Sequence, residues 1–196
     1  MNTIDYYNQN ARSFITDTES VDMSALYHEF ISLLPKGASV LDAGCGSGRD
    51  TKYFVEQGYE VSALDASLEM VQHATKLSGV QVSHRTFSQV NEVEAYDGIW
   101  ACASLLHVAK DSLEEAFSNL SNALKPKGVW YLSFKYGDKE RSKGGRHFTD
   151  LNEALLQELV DKVGQLKVLK TWVTVDARPD REEKWLNAIL IKASVV

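Results

Sequence analysis

The segment from Val40 to Asp50, reading Val-Leu-Asp-Ala-Gly-Cys-Gly-Ser-Gly-Arg-Asp, constrains the fold more than any other part of the chain. An apolar strand runs into a turn with glycine in three alternate places, and a helical pattern opens at Thr51 and continues to Gln57. Glycine lets a backbone turn tightly and approach a ligand closely. The nicotinamide and flavin fingerprint needs glycine at the first, third and sixth places, but the sixth place counted from Gly44 is Arg49. A pyrophosphate cradle is therefore not the reading. Asp42, two residues before Gly44, would repel a pyrophosphate and suits a ligand carrying an ammonium group. Taken alone, the glycines are equally explained by an ordinary strand-to-helix turn. Asp65 adds weight to the ligand reading because it follows the second apolar run, Val61 to Leu64. In a doubly wound sheet the carboxyl ends of the strands line the crevice, where an acid can accept both hydroxyls of a ribose. The other reading of Asp65 is an acid favoured by a helix N-terminus, although Ser67 already stands where a cap is needed.

The same alternation continues along the chain. Strand-length runs at Ser39 to Asp42, Val61 to Leu64, Val80 to Phe87, Gly98 to Cys102 and Val129 to Phe134 alternate with helical patterns, which predicts a largely parallel sheet. Ahead of them, Met23, Leu26, Phe30 and Leu33 recur at helical spacing behind Asp22 as cap, and Pro35-Lys36-Gly37 stops that helix. Ser67 is placed to cap a helix through Leu77, and Asp111 with Glu114 predicts a capping box before Leu113, Phe117, Leu120 and Leu124. Thr149-Asp150 with Glu153 predicts another at the head of Leu151 to Val163, which Gly164 closes. Leu166 to Val175 and Trp185 to Lys192, joined by the polar run Asp176 to Lys184, predict a hairpin. No repeat, low-complexity tract or long linker interrupts residues 1–196, so a single domain is expected.

Composition narrows the class of partner. With 44% hydrophobic residues in 196, the chain can bury a sizeable core. Twenty-one Lys and Arg against 27 Asp and Glu give a formal net charge of −6, so no global basic field is present to hold a nucleic-acid backbone. Cys45 and Cys102 are too few for a disulfide scaffold, the opening residues Met1 to Tyr7 show neither the positive nor the apolar region expected of a signal sequence, and no apolar stretch approaches the length of a membrane span. A reduced, cytoplasmic protein without a membrane or metal role is the expectation.

The glycine loop with Asp42, and Asp65-Ala66-Ser67 followed by Met70, resemble the class I S-adenosylmethionine-dependent methyltransferases. That resemblance implies a three-layer, Rossmann-like α/β fold with a seven-stranded, mostly parallel sheet and an antiparallel last strand. It implies S-adenosyl-L-methionine as cofactor and S-adenosyl-L-homocysteine as product. By position, Asp42, Gly44, Gly46 and Gly48 would meet the methionine end, and Asp65 with Ala66 the ribose. Met70, Thr86 and Phe87 would flank adenine, with Cys102 beside the cofactor at the end of the fourth strand. Where the family often has an acid after the third strand, this chain reads Phe87-Ser88-Gln89, and the Gln89 carbonyl is placed to accept from the adenine amine. The run Tyr96 to Val108, with Phe134-Lys135-Tyr136-Gly137, Gly145 to Thr149 and Asp176-Ala177-Arg178-Pro179, resembles more narrowly the small bacterial methyltransferases grouped with tellurite-resistance proteins.

The resemblance also divides the domain. Residues 1–36 would form a helical lid carrying Tyr6 and Tyr7, residues 37–137 the cofactor-binding core, and residues 138–196 the acceptor side. Tyr7 would pack near the sulfonium by cation–π attraction, unless the two rings merely staple the first helix to the sheet. His107, just past the fourth strand, would orient an acceptor or take its proton; a histidine anchoring its loop to backbone is the alternative. Lys139 to His147 holds four cations and two glycines, which suits either a solvated loop or a cover that binds an anion, and Arg146 is the cation singled out. Arg178 is a second candidate for positive charge at the mouth. Cys45 and Cys102 follow neighbouring strands and are either two buried small side chains or a pair near enough to oxidise. The reading is methyl transfer to a small-molecule acceptor, a thiol, chalcogenide or other anionic metabolite, by a monomer or homodimer. RNA or protein methylation, and an inactive cofactor-binding module, are its rivals.

Overall fold

The computed structural model describes residues 2–178 and 181–194. Seven strands form one sheet in the order β3-β2-β1-β4-β5-β9-β8. They are β1 (Ser39–Ala43), β2 (Glu60–Asp65), β3 (Ser83–His84), β4 (Tyr96–Ala101), β5 (Leu124–Lys135), β8 (Leu166–Val175) and β9 (Lys184–Lys192). Strands β1 to β5 run parallel, and β9, last in the chain, lies antiparallel between β5 and β8. The expected α/β fold and closing hairpin are therefore present.

The two-residue period of the strands sorts the core into two layers. Leu41, Ile99, Trp130 and Leu132 face helices α5 (Leu113–Ala123) and α6 (Glu153–Val163). Their neighbours Val40, Trp100, Val129 and Tyr131 face α2 (Ser24–Ile31) and α3 (Arg49–Glu56), and Ala63 packs on α4 (Leu68–Ser78). Trp100 stacks on Tyr131 at 4.0 Å between centroids, so the aromatic layer crosses adjacent strands. Helix α1 (Thr3–Thr18) has no buried residue and leaves helical geometry at Asn10, whose Nδ2 donates to the Tyr6 carbonyl.

Several local expectations give way to other partners. The pattern from Val80 to Phe87 yields only the two residues of β3, because Thr86 and Gln89 cap each other reciprocally and start a short 3-10 turn at Phe87. Asp22 does not cap α2 conventionally; its carboxylate takes the Ser24 N–H, and the helix ends before Leu33, which is 45% exposed. No Asp111–Glu114 box forms, since Lys110 to Ser112 make a 3-10 turn and Asp111 accepts from the Ser112 hydroxyl. Helix α6 starts later than expected, capped by Asn152, because Thr149 donates to the Val108 carbonyl and Asp150 pairs with Arg141. The strand expected at Val129 begins earlier, because the run Lys125 to Gly128 lies within β5, between the pairings of Tyr96 with Leu124 and Gly98 with Val129.

The segment after β5 is ordered too. Strands β6 (Glu140–Lys143) and β7 (Arg146–Thr149) form a hairpin whose turn is Gly144-Gly145, both with positive φ. Two such residues make the mirror-image turn that matches the twist of a two-stranded ribbon. Arg141 is held by Asp150 instead of waving in solvent.

Candidate active site

A cavity of about 590 Å³ opens at the carboxyl ends of β1, β2, β4 and β5. That is the side where loops of an open parallel sheet converge. Helix α1 lies over it: Phe14 closes one half and Tyr7 the other.

The half beyond β1 and β2 is built by the glycine loop and Asp65. The N–H of Gly46 donates to Asp65 Oδ2 at 2.8 Å, and that of Ser67 donates to Oδ1 at 2.9 Å. A carboxylate has about four lone-pair sites, so both oxygens keep capacity for further donors. Burial raises the Asp65 pKa, against the opposing pull of these backbone N–H groups. Gly44 has φ +80°, and a Cβ there would come within 2.4 Å of Ser104 Cβ, so only glycine lets the loop pass under the β4 turn. Ala66, Met70, Thr86 and Phe87 continue this wall, and Cys102 joins it from β4.

Two expected loop residues lie behind the wall. Asp42 is buried and accepts from the Thr51 hydroxyl at 2.6 Å; burial, with the nearby Asp50 charge, pushes its carboxyl well above the ordinary carboxylate range. It therefore offers no open carboxylate to an ammonium group. Gly48 caps α3 with φ +83°, and a Cβ there would sit 2.7 Å from Ala74 Cα, so it serves helix packing. Gln89 is likewise committed, its Oε1 accepting from the Thr86 N–H and hydroxyl.

The other half brings together residues far apart in sequence. Tyr7 Oη bonds to His107 Nε2, His107 Nδ1 bonds to the His147 carbonyl, and the His147 N–H donates to Thr3 Oγ1 at 2.9 Å. Burial, with Arg146, His147 and Lys135 nearby, lowers the His107 pKa to about 4. His107 thus anchors to backbone, as one of its two readings expects, and it also lines the cavity. The Arg146 guanidinium lies 4.6 Å from the Tyr6 ring and 5.2 Å from that of Phe148. Its Nε is buried without a hydrogen-bond partner among the described residues.

Two other cations on this side are matched. Arg178 donates from Nε to Asp176 Oδ1 and from Nη2 to Oδ2, so it adds no free charge at the mouth; Pro179 lies outside the described residues. Lys135 pairs with Glu183 at 2.6 Å. The two thiols pack in different apolar clusters, Cys45 with Ala63 and Val71, Cys102 beside Trp100 and Tyr131. Burial raises both, Cys102 to about 12, and the structure holds no disulfide.

Sequence reasoning missed how α3 is tied to the lid. Arg49 donates to both Asp50 oxygens and to the Thr18 carbonyl, while Asp50 also accepts from Tyr27 Oη and Trp100 Nε1. The failed sixth glycine was the one signal of this network.

Residues 40–128 match the family model described as the methyltransferase domain. Malonyl-[acyl-carrier protein] O-methyltransferase of Salmonella typhimurium is 36% identical over 96 residues, which is 47% of this chain and 37% of that protein. The chain thus matches well under half the length of that relative. The structure of Burkholderia thailandensis 1,6-didemethyltoxoflavin-N1-methyltransferase, with 1,6-didemethyltoxoflavin and S-adenosylhomocysteine bound, has a TM-score of 0.80 at 23% identity, over 96% of this chain and 85% of that one. A TehB-like S-adenosylmethionine-dependent methyltransferase from Corynebacterium glutamicum has a TM-score of 0.70 at 22% identity, over 96% of this chain and 97% of that one. At these identities the likeness is one of fold, and the narrower tellurite-type resemblance rests on its sequence strings alone. Residues 40–128 thus carry the match to the methyltransferase domain, and the sheet they build shares its fold with the solved methyltransferases above.

Proposed function

We propose that this protein transfers the methyl group of S-adenosylmethionine to a small acceptor that binds as an anion. The observation that carries the reading is Arg146, a cavity-lining guanidinium held between the Tyr6 and Phe148 rings with its Nε buried and without a hydrogen-bond partner among the described residues. A buried donor left without a partner costs free energy, and an anionic acceptor group supplies that partner.

The cofactor half suits its ligand in chemistry. Asp65 would take the ribose hydroxyls, Gly44 and Gly46 would let the methionine end approach backbone, and Met70 and Phe87 would hold the base. When bound, the cofactor supplies an electrophilic methyl on sulfur. The chain's task is then to align the acceptor at about 3 Å and exclude water. Tyr7 and the roof formed by α1 exclude solvent, and His107 and Arg146 orient the acceptor. His107 is a poor base in its buried setting, with Tyr7 on its open nitrogen and cations around it. Deprotonation before binding suits this site better than deprotonation within it, which favours thiolates, chalcogenides and other acidic acceptors.

In this reading residues 1–36 act as lid, 37–137 hold the cofactor and 138–196 shape the acceptor side. A monomer or a homodimer is the assembly proposed. No helix among the described residues is long and apolar enough to cross a membrane, in keeping with action in the cytoplasm. A lidded cavity of about 590 Å³ argues against a folded RNA or protein acceptor.

The test is to give labelled cofactor and protein to cell extract separated into metabolite, protein and RNA fractions, with a nuclease-treated control. Label in the metabolite fraction, with release of S-adenosylhomocysteine, is expected. Label concentrated in protein or nuclease-sensitive RNA would overturn the small-acceptor reading, and binding without release would mark an inactive module.

A further inference from the structure

Phe148, buried on β7, has cations on several sides. Lys135 Nζ lies 4.7 Å from its ring centroid, the Arg146 guanidinium 5.2 Å and that of Arg141 5.4 Å. The His107 ring stands 5.0 Å from the same centre. Arg141 is taken by Asp150 and does not line the cavity, whereas Lys135, Arg146 and His107 all do. Besides burial, which acts most strongly, Arg146 and Lys135 both disfavour a charge on His107, so the two cations share that neighbour as well.

Both cations keep donors in reserve. An ammonium has three N–H donors, and Lys135 spends one on Glu183, which does not itself line the cavity. Arg146 Nε is buried without a partner among the described residues. The nearby acids are engaged elsewhere: Asp176 accepts from Arg178 and Trp185 Nε1, and Glu140 pairs with His147 and accepts from the Lys110 N–H. A guanidinium edge and an ammonium set about one ring suit the oxygens of a single carboxylate or phosphate group.

We infer that Lys135 and Arg146 together hold an oxyanion of the acceptor that is not the group methylated, so that the acceptor is a small molecule with a carboxylate or phosphate handle and its nucleophile elsewhere. The inference rests on the small-acceptor reading above. Charge-assisted hydrogen bonds stabilise the charge on the oxygens they hold, so an oxyanion clasped by two cations is a poor nucleophile. In the transfer the acceptor's second group gives its electron pair to the methyl carbon, the carbon–sulfur pair stays with sulfur, and the handle leaves unchanged. A bare chalcogenide has no such handle. Glu183 competes with the acceptor for Lys135.

The metabolite labelled when the full chain and labelled S-adenosylmethionine are added to cell extract tests the handle. The product should be retained by an anion exchanger at neutral pH and should release no labelled methanol in mild alkali. Retention that survives phosphatase marks the handle as a carboxylate, and retention lost to phosphatase marks it as a phosphate. Lys135→Met, which keeps the apolar stem, should raise the amount of acceptor fraction needed for half-maximal rate by about tenfold, with maximal rate and S-adenosylhomocysteine affinity near wild type. Lys135→Arg should restore most of the loss, and Glu183→Gln should lower the amount needed, because a competing carboxylate is gone. A product that passes the exchanger without prior phosphatase or yields methanol overturns the inference and leaves the small-acceptor reading standing. So does a Lys135→Met protein with unchanged acceptor demand, or a Glu183→Gln protein that fails in parallel with Lys135→Met, which would make the pair a structural clasp. Absence of label from the metabolite fraction overturns both readings.

Discussion

Tyr7 and His107 stand a hundred residues apart in the chain and meet through a 2.8 Å bond between Oη and Nε2. The His147 carbonyl can only accept, so His107 Nδ1 carries the ring proton and Tyr7 is the donor to Nε2. A residue of helix α1 and a residue of the turn after β4 thus fix each other's hydrogen. Tyr7→Phe should leave Nε2 bare, slow turnover by about tenfold and barely change affinity for S-adenosylhomocysteine, the scale of one lost hydrogen bond. Steady-state kinetics beside calorimetry separate the two effects.

The neutral state of His107 carries a pH signature. Its pKa falls from an ordinary 6.5 to about 4 in the folded protein, so the unfolded chain takes up its proton first as pH drops. This residue contributes no pH dependence above pH 6.5 and removes up to about 3 kcal/mol of stability as pH falls from 6.5 to 4. Urea unfolding at several pH values should show that slope, and His107→Gln should flatten it. Glu92, lowered to about 2 by its hydrogen bonds from Arg85, is displaced in the same direction and loses its contribution only in the window below its ordinary 4.5.

Arg146→Ala should cut turnover with an anionic acceptor by about a hundredfold, the scale of 2 to 3 kcal/mol for a charge-assisted contact. S-adenosylhomocysteine affinity should stay near wild type. Equal losses in both would mean that Arg146 only supports the lid through Tyr6.

Asp65→Ala should weaken S-adenosylhomocysteine binding by about 2 to 4 kcal/mol, because the ribose loses a charged acceptor. The change also frees the Gly46 and Ser67 N–H groups, so circular dichroism and the thermal midpoint are needed beside calorimetry.

The second and third glycines of the loop should respond differently to alanine. At Gly48 the added methyl meets Ala74 backbone at 2.7 Å and φ is positive, which together should cost about 2 to 4 kcal/mol of stability. Gly46 shares the positive φ, at +53°, but there the nearest atom is the edge of Phe14 at 3.4 Å, so the fold should suffer less than at Gly48 and less than cofactor affinity does. Thermal melts with and without S-adenosylhomocysteine distinguish the two.

The sheet could be read from the sequence because its signals are local. Val40 with Leu41 and Ile99 with Trp100 show buried strands as continuous apolar runs, and Gly164 marks a helix end by its own geometry. Asp65 and Phe87 reach the cavity because strand ends must. Caps were harder to read. Asp22, Asp111 and Asp150 each satisfy the composition of a helix start, yet each finds another partner nearby. Asp42 shows the same limit for a ligand residue: the motif places it near the loop, but only packing tells which way its carboxyl points. The β6–β7 ribbon was legible in principle, since Gly144-Gly145 between residues of four-residue strands is a hairpin signal, and the surrounding cations concealed it. No local pattern in α1 announces its contacts, because all of them are to elements distant in sequence.

The break in α1 at Asn10 separates two attachments. Beyond it, Phe14 lies against Gly46 and the Thr18 carbonyl is gripped by Arg49; before it, Thr3, Tyr6 and Tyr7 meet His147, Arg146 and His107. Asn8, also before the break, accepts from the Ser67 hydroxyl at 2.7 Å and ties the first half to the Asp65 wall as well. Under the proposed function, residues 3–7 are then the part of the helix that faces the acceptor side alone, and substitutions there should alter which acceptor is methylated more than how the cofactor is held.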